Sequence, residues 1–279
     1  MGSVEQNAPA AAGRAGRNLP AAIGVGVVLG AAIIGSLFWQ KFLFIGLVLA
    51  AVLVAVDEVS RALKAGGAAV PRVPLFAGTV AMVVAAYVRG PMALLVALAL
   101  TVLCTIFWRM RQGAEGFVRD ASAGVFVVGY VPMLAGFVVL LLRPEDGPWR
   151  VITFFLVTVA SDTGGYAVGV LLGKHPMAPT ISPKKSWEGF AGSVLAGIGV
   201  GIAAVVFALD GDWWAGAVVG VAAIVAATLG DLGESMIKRD LGIKDMSNLL
   251  PGHGGIMDRL DSLLAVAPVM WLTLHLLVP

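Results

Sequence analysis

Four carboxylates towards the carboxy terminus have a spacing that suits a divalent cation. Asp231 and Glu234 stand three residues apart where one apolar segment ends, and Asp258 and Asp261 stand three apart where the next begins. On helices, residues three apart share one face, so each pair would present two carboxylates together. Carboxylates at a membrane boundary are costly unless they are paired or bound to a cation. Two such pairs therefore predict a cage of oxygen ligands suited to Mg²⁺.

Basic residues and a glycine-rich turn lie between the two carboxylate pairs. Lys238, Arg239 and Lys244 precede the turn Pro-Gly-His-Gly-Gly at residues 251–255. Glycines let the backbone approach a ligand closely and aim N–H groups at phosphate oxygens. A connecting loop can be equally polar, and a glycine-rich turn alone is more often a tight loop. Together with the carboxylates, however, these groups are the equipment of metal-assisted phosphoryl or nucleotidyl transfer.

A second polar cluster runs from Ser161 to Gly189 and interrupts an otherwise apolar region. Asp162 lies about midway along an apolar stretch, where an ionisable group indicates function, with a helix-packing hydrogen bond as the alternative. Lys184 and Lys185 follow Pro183 and could meet either a polyphosphate or anionic lipid head groups. The sequence leaves both alternatives open for the two lysines.

Composition sets the class of protein that must position these residues. Hydrophobic residues make up 59% of the 279-residue chain and charged residues 13%, against about 45–50% and about 25% in soluble domains. The bilayer must take up the excess apolar surface. A net charge of only +2 gives no indication of a nucleic-acid partner, and the single cysteine, Cys104, excludes an internal disulfide framework.

The apolar segments predict an all-α polytopic membrane protein with about nine transmembrane helices and a polar active site at the cytoplasmic face. Residues 1–18 are expected to form a disordered cytoplasmic tail, 19–142 about five spans, and 149–279 a catalytic region of about four. The second and third spans are short, so eight or ten remain possible. The nine candidates are 19–38, 42–56, 73–88, 91–108, 122–142, 149–172, 189–209, 213–230 and 260–278.

The distribution of Lys and Arg predicts the orientation of these spans. With the amino terminus in the cytoplasm, fifteen of the 19 basic residues fall on the inner side, and only Lys41, Arg89, Arg143 and Arg150 fall outside. Such a bias is typical of cytoplasmic loops. The polar loops at 173–188 and 231–259 then both face the cytoplasm, where nucleotides are found. We therefore expect a multi-pass protein of the cell (inner) membrane.

These residues also carry a family resemblance. From Ser235 to Asp261 the chain reads S-x-I-K-R-x-x-x-x-K-D-x-S-x-x-L-P-x-H-G-G-I-x-D-R-L-D. This stretch resembles the signature of the phosphatidate cytidylyltransferases, or CDP-diacylglycerol synthases. The upstream elements D-T-G-x-Y, G-K and S-P-K-K-S-W-E-G are similar to that family too, although Gly165 and Ser186 stand where Ala and Thr are expected. The motifs cover roughly the last 120 residues.

The resemblance implies that CTP and phosphatidic acid are joined to give CDP-diacylglycerol and pyrophosphate. It implies Mg²⁺ held by Asp231, Asp258 and Asp261, with Lys238 and Arg239 as further catalytic residues, and it suggests a second cation and a homodimer within the lipid membrane. The residues expected to bind substrate are Asp162, Ser182, Lys184, Lys185, Lys244, His253, Gly254, Gly255 and Arg259. His253 could instead brace the glycine turn.

Two other functions compete with this interpretation. A CDP-alcohol phosphotransferase resembles D-G-x-x-A-R followed by G-x-x-x-D-x-x-x-D, and neither segment occurs in this sequence. An ion-coupled transporter could use Asp162, Asp231 and Asp258 as cation or proton sites. The concentration of charge at one membrane face and the lack of a visible long repeat argue against a transporter.

Overall fold

The computed structural model describes residues 19–247, Leu249 and residues 254–278. Its described residues form ten helices and one short antiparallel hairpin. The helices are α1 Leu19–Trp39, α2 Lys41–Ala65, α3 Arg72–Arg89, α4 Pro91–Met110, α5 Phe117–Tyr130, α6 Pro132–Leu142, α7 Gly147–Leu172, α8 Trp187–Ala208, α9 Trp213–Asp240 and α10 Met257–Leu277. The hairpin strands, between α7 and α8, are β1 Pro176–Ala178 and β2 Ser182–Ser186.

The helices confirm the prediction of an all-α polytopic membrane protein. Among the described residues, eight helical segments are long and apolar enough to cross a membrane, and α1 adds a shorter apolar segment, Gly30–Trp39. The fifth predicted span is broken, because α5 and α6 divide one apolar segment at Val131 and Pro132. Proline has no N–H group for the helix ladder, so a helix breaks or bends where it occurs.

Two predicted loops contain more regular structure than expected. The loop predicted at 231–259 begins ten residues later, because α9 continues to Asp240 with Lys238 and Arg239 in its last turn. Cations in a last turn complement the helix dipole, and Gly242, with φ +66°, then lets the chain turn away. The loop predicted at 173–188 contains the hairpin, so the chain is not purely helical.

Glutamate and serine side chains fix the hairpin to α8. Glu188 accepts hydrogen bonds from the backbone N–H groups of Lys174 and His175, and its Oε1 lies 2.5 Å from Nδ1 of His175. Ser186 precedes α8 and its Oγ accepts the N–H of Gly189 at 3.1 Å, which is the usual role of serine at a helix start. The two lysines of β2 are therefore held between α7 and α8.

Small residues bring α7, α8 and α9 into unusually close contact. A Cβ atom at Gly192 would lie 2.8 Å from the carbonyl oxygen of Gly164, and one at Gly201 would lie 2.4 Å from the carbonyl oxygen of Gly216. A Cβ at Gly220 would lie 2.3 Å from the carbonyl oxygen of Gly197. Membrane helices pack closely where small residues let their backbones approach. The main chains of these three helices thus set the spacing between Asp162, the hairpin and Asp231.

A buried ion pair joins the loops of the amino-terminal helices. Arg109 at the end of α4 donates to Asp120 of α5 at 3.0 Å, and both side chains are almost completely buried. Asp120 also accepts the N–H of Ala69 from the α2–α3 loop, and Arg109 donates to the carbonyl of Gly113 at 3.0 Å. Multiple hydrogen bonds of this kind are what a buried charge requires. The pair therefore serves to hold these loops together.

Candidate active site

Four carboxylates from three helices line one cavity of about 400 Å³, which we call the carboxylate cavity. Asp162 comes from α7, Asp231 from α9, and Asp258 and Asp261 from the first turns of α10. Arg259 is the basic residue among the lining side chains. The three residues predicted to bind Mg²⁺ thus meet at the same cavity although 30 residues of sequence separate the first from the last.

The i,i+3 pairs behave differently from each other. Asp258 and Asp261 both face the carboxylate cavity, whereas of the other pair only Asp231 lines it and Glu234 does not. Glu234 has no exposed surface and forms an ion pair with Lys238, one turn later on α9, with an N–O distance of 2.6 Å. Glu234 therefore lies beneath the cavity rather than in its wall.

Asp258 is held by the chain on both sides of it. Its Oδ2 accepts the N–H of Gly255 at 2.7 Å and the N–H of Met246 at 2.9 Å, while its Oδ1 accepts Nζ of Lys238 at 3.0 Å. Lys238 thus bridges Glu234 and Asp258. Hydrogen bonds to an ionised acceptor are about twice as strong as neutral ones, so this carboxylate has a well-defined position.

The glycine turn contributes to this arrangement through its backbone. Gly254 has φ +78°, a conformation that favours glycine, and a Cβ there would lie 2.9 Å from Oδ2 of Asp258. The N–H of Gly255 donates to Asp258. Contact of either glycine with a substrate phosphate stays a prediction. His253 lies outside the described residues.

A second cavity, of about 310 Å³, adjoins the carboxylate cavity and shares Asp162 and Asp231 with it. We call it the middle cavity. Lys184 and Lys185 of β2 line it, and Nζ of Lys185 lies 2.5 Å from Oδ2 of Asp231. The hairpin therefore carries two cations to the carboxylates of α7 and α9. Both side chains of the Lys185–Asp231 pair are partly exposed, so a bound anion or cation could exchange with it.

A third cavity, of about 430 Å³, continues from the middle cavity and is predominantly basic. Lys184 lines both the middle and this basic cavity. The basic cavity also includes the predicted substrate-binding residues Ser182 and Lys244 and the predicted catalytic residues Lys238 and Arg239. Arg239 additionally donates to the carbonyl of Ile181 at 3.4 Å. Three adjoining cavities thus pass from acidic to basic, so a phosphate chain would be neutralised at the basic end, while the carboxylates at the other end suit a cation.

One buried carboxylate at the site was missed by the sequence-based interpretation. Glu58 of α2 is only 4% exposed and contacts the segment that precedes α10. It accepts hydrogen bonds from Oγ of Ser247 and from the N–H groups of Ile256 and Met257. An acidic residue within a long apolar helix was the available signal, but no spacing rule connects it with residues almost 200 positions later.

The carboxylate cavity has the donor chemistry that Mg²⁺ prefers, namely hard carboxylate oxygens. Asp231, Asp258 and Asp261 would be the ligands. Within residues 19–247, 249 and 254–278, however, no three acidic, histidine or cysteine side chains are already grouped closely enough to coordinate a metal ion. Asp231 and Asp258 are instead paired with Lys185 and Lys238. The residues fit the ion chemically, and binding would require these carboxylates to draw closer together.

Comparison with known proteins agrees with the chemistry of these cavities. The chain is 44% identical over 280 residues to a phosphatidate cytidylyltransferase of Mycobacterium leprae. The alignment covers 95% of this chain and 90% of that protein. The chain is 43% identical over 277 residues to a protein of the same name from Mycobacterium bovis, with the same coverage. A Staphylococcus haemolyticus phosphatidate cytidylyltransferase is 38% identical over 152 residues, or 54% of this chain.

The match to a protein family extends well beyond the carboxy-terminal motifs. It covers residues 20–277, and so includes the amino-terminal helices for which the sequence alone offered only hydropathy. The family resemblance drawn from the motifs is confirmed. With its acidic and basic cavities at one end of a helical membrane bundle, the chain belongs to the cytidylyltransferase family.

Proposed function

We propose that the protein condenses CTP with phosphatidate, giving CDP-diacylglycerol and pyrophosphate. The observation that carries this proposal is the series of three cavities, acidic at one end and basic at the other, formed by α7, the hairpin, α9 and α10. The names and coverage of the mycobacterial relatives support the same reaction. No observation favours the phosphotransferase or transporter alternatives.

An apolar cavity beside the carboxylate cavity supports a lipid substrate. It measures about 280 Å³ and is lined mostly by apolar side chains, among them Phe44, Val48 and Leu260. Phe155, Arg259 and Leu263 line both this cavity and the carboxylate cavity. A lipid with its acyl chains on the apolar side would bring its phosphate to Arg259. Guanidinium groups suit phosphate oxygens because they donate two parallel hydrogen bonds.

The basic residues provide for the nucleotide. We assign the triphosphate to the middle and basic cavities, where Lys184, Lys185, Lys238, Arg239 and Lys244 would neutralise it. The pyrophosphate portion would lie towards Lys244. This assignment puts the α-phosphorus near the carboxylate cavity and the lipid phosphate, which is the order that the reaction requires.

The reaction itself needs mainly positioning and charge neutralisation. An oxygen of the phosphatidate phosphate attacks the α-phosphorus of CTP, and the bond from that phosphorus to the pyrophosphate oxygen breaks. The attacking oxygen is already anionic, so no strong general base is required. Mg²⁺, if held by Asp231, Asp258 and Asp261, would neutralise the negative charge of the two substrates. Lys238 holds Asp258 in place at 3.0 Å.

The protein is a multi-pass membrane protein, and we propose that its site faces the cytoplasm of the cell membrane. The bias of fifteen basic residues to four supports this orientation. In support, the described bonds of Lys41, Arg143 and Arg150 join the opposite helix ends from those that form the cavities. A homodimer and a second cation remain predictions of the family resemblance.

The test is an assay of purified protein with labelled CTP, phosphatidate and Mg²⁺. We expect labelled lipid and an equal amount of pyrophosphate, neither of which should form when phosphatidate or Mg²⁺ is omitted. A parallel reaction with CDP-diacylglycerol and an alcohol should release no CMP. Release of CMP there, with no labelled lipid from CTP, would indicate a phosphotransferase and refute the proposal.

A further inference from the structure

Among the described residues of the segment that leads into α10, three donate hydrogen bonds to the carboxylate of Glu58. Its Oε1 accepts Oγ of Ser247 at 2.6 Å and the N–H of Ile256 at 3.1 Å, and its Oε2 accepts the N–H of Met257 at 2.7 Å. Glu58 lies on α2, so these contacts connect the amino-terminal helices with the first turn of α10.

The contacts supply an acceptor that the residue before α10 does not, and they add a second negative charge beside that of Asp258 in the first turn. Ile256, which precedes the helix, has no side chain that can accept a hydrogen bond from the first turn. The first N–H groups of a helix need acceptors, and a negative charge there is favoured by the helix dipole. Glu58 provides both from another helix.

Asp258 lies next to the residues that Glu58 contacts, and its position depends on the same short segment. It follows Met257 directly and accepts the N–H of Gly255, which precedes Ile256. The backbone from Gly255 to Met257 is thus fixed by Glu58 on one side and by Asp258 on the other. A Cβ atom at Gly255 would lie 2.7 Å from Oε2 of Glu58, so the close approach of the two requires glycine.

We propose that Glu58 is a positioning residue, which holds the first turn of α10 so that Asp258 faces the carboxylate cavity. Only a carboxylate satisfies the geometry, because backbone N–H donors reach both of its oxygens. A glutamine side chain would turn an NH₂ group towards at least one of those N–H groups. The inference rests on the proposed function, since its importance lies in the position of Asp258.

The first test measures turnover by the variant Glu58→Gln. We expect kcat to fall about a hundredfold, because misplacing a catalytic group by about 1 Å can have this effect, while the KM for CTP and for phosphatidate changes by less than about threefold. Asp57→Asn is the matched control. Asp57 is the neighbouring carboxylate on α2 and pairs with Arg61 and Arg72 instead, so its variant should retain wild-type kcat.

The second test measures hydrogen exchange of the backbone amides at Ile256 and Met257 in detergent. Loss of a charged acceptor should speed their exchange about tenfold in Glu58→Gln, and not in Asp57→Asn. Ser247→Ala removes one of the three bonds and leaves the carboxylate, so it should give a smaller loss of kcat. This milder variant keeps the test decisive if Glu58→Gln fails to fold.

Wild-type kcat in Glu58→Gln would overturn the proposal. So would a loss of kcat without faster exchange at Ile256 and Met257, because Glu58 would then act in some other way. If Ser247→Ala is the usable variant, unchanged kcat and unchanged exchange would likewise overturn it. If wild-type protein makes no CDP-diacylglycerol, the proposed function fails, while the exchange measurement still decides whether Glu58 holds α10.

Discussion

The two ends of the helical bundle differ in the partners of most of their cations, although Arg150 at the remote end also pairs with Asp146 and Arg239 at the cavity end also donates to a carbonyl. At the end remote from the cavities, Lys41, Arg143 and Arg150 donate to backbone carbonyls, among them those of Pro144 and Tyr87. At the cavity end, lysines meet carboxylates instead: Lys185 pairs with Asp231, and Lys238 with both Glu234 and Asp258. The cations of the remote end join one helix terminus to another, whereas Lys185 and Lys238 are paired with carboxylates beside the cavities.

This difference in partners indicates that the charged residues of the remote end stabilise the fold, whereas those of the cavity end take part in the reaction. A carbonyl oxygen at a helix terminus has no better partner than a nearby cation, so the contacts of the remote end have no reason to change during turnover. A carboxylate–lysine pair at a cavity can exchange its partners, because a divalent cation binds carboxylates and a phosphate binds lysine. Substitutions should therefore reduce activity at the cavity end and stability at the remote end.

The strongest test of this contrast removes single carboxylates from the carboxylate cavity. We expect Asp231→Asn and Asp258→Asn each to lower kcat by about a thousandfold, because an amide can neither neutralise nor hold a divalent cation as a carboxylate does. Labelled CDP-diacylglycerol formed per minute is the measurement. Asp240→Asn, an exposed position at the end of α9, should be unaffected. Near-normal turnover in either cavity variant would remove the basis for a metal site.

A second test separates the two roles of Lys238. Lys238→Met leaves the fully buried Glu234 without its ion-pair partner, which costs about 3–5 kcal/mol in the free energy of unfolding. Activity should fall as well, because Asp258 loses its hydrogen bond from Lys238. Adding Glu234→Gln should restore much of the melting temperature in detergent and leave activity low. Recovery of both together would mean that Lys238 has only a structural role.

A smaller effect is expected for the hairpin. Lys185→Gln should lower kcat/KM for CTP about tenfold, because its pair with Asp231 is partly exposed and solvent screens such charges. The loss should shrink as the salt concentration rises, since salt weakens the contribution of the wild-type charge. Lys64→Gln, at the exposed end of α2, is the matched control. Equal losses in both variants would point to a general effect of net charge.

The smallest effect on activity belongs to the remote end. Arg150→Gln removes hydrogen bonds to the carbonyls of Leu274 and Val278 and an ion pair with Asp146. We expect the free energy of unfolding to fall by about 1–3 kcal/mol, with kcat/KM within about twofold of wild type. Arg89→Gln, an exposed neighbour at that end, should change neither. A large loss of turnover in Arg150→Gln would break the contrast between the ends.

Hydropathy predicted the bundle well because each membrane crossing needs about twenty apolar residues. Every predicted span has a helical counterpart. The hairpin between α7 and α8 could not be predicted, because its strands are only three and five residues long and depend on Glu188 and Ser186. The proline at position 132 was a local signal for the break between α5 and α6. The continuous apolar sequence around it nevertheless favoured a single span.

The site was only partly predictable from spacing. Residues three apart on a helix lie about 60° apart around its axis, so one member of a pair can face a cavity while the other faces the core. Asp231 and Glu234 divide in this way. The pairing of Lys185 with Asp231 and the contact of Glu58 with α10 are long-range, and no local pattern encodes them.

The glycine contacts between α7, α8 and α9 have a consequence for how the protein responds to its lipid surroundings. Where main chain touches main chain, no flexible side chain lies between to absorb a displacement. The three helices should therefore tilt together, as one rigid unit, when the bilayer becomes thicker or thinner. The distance from the hairpin lysines to the α9 carboxylate would then be preserved across membranes of different acyl-chain length.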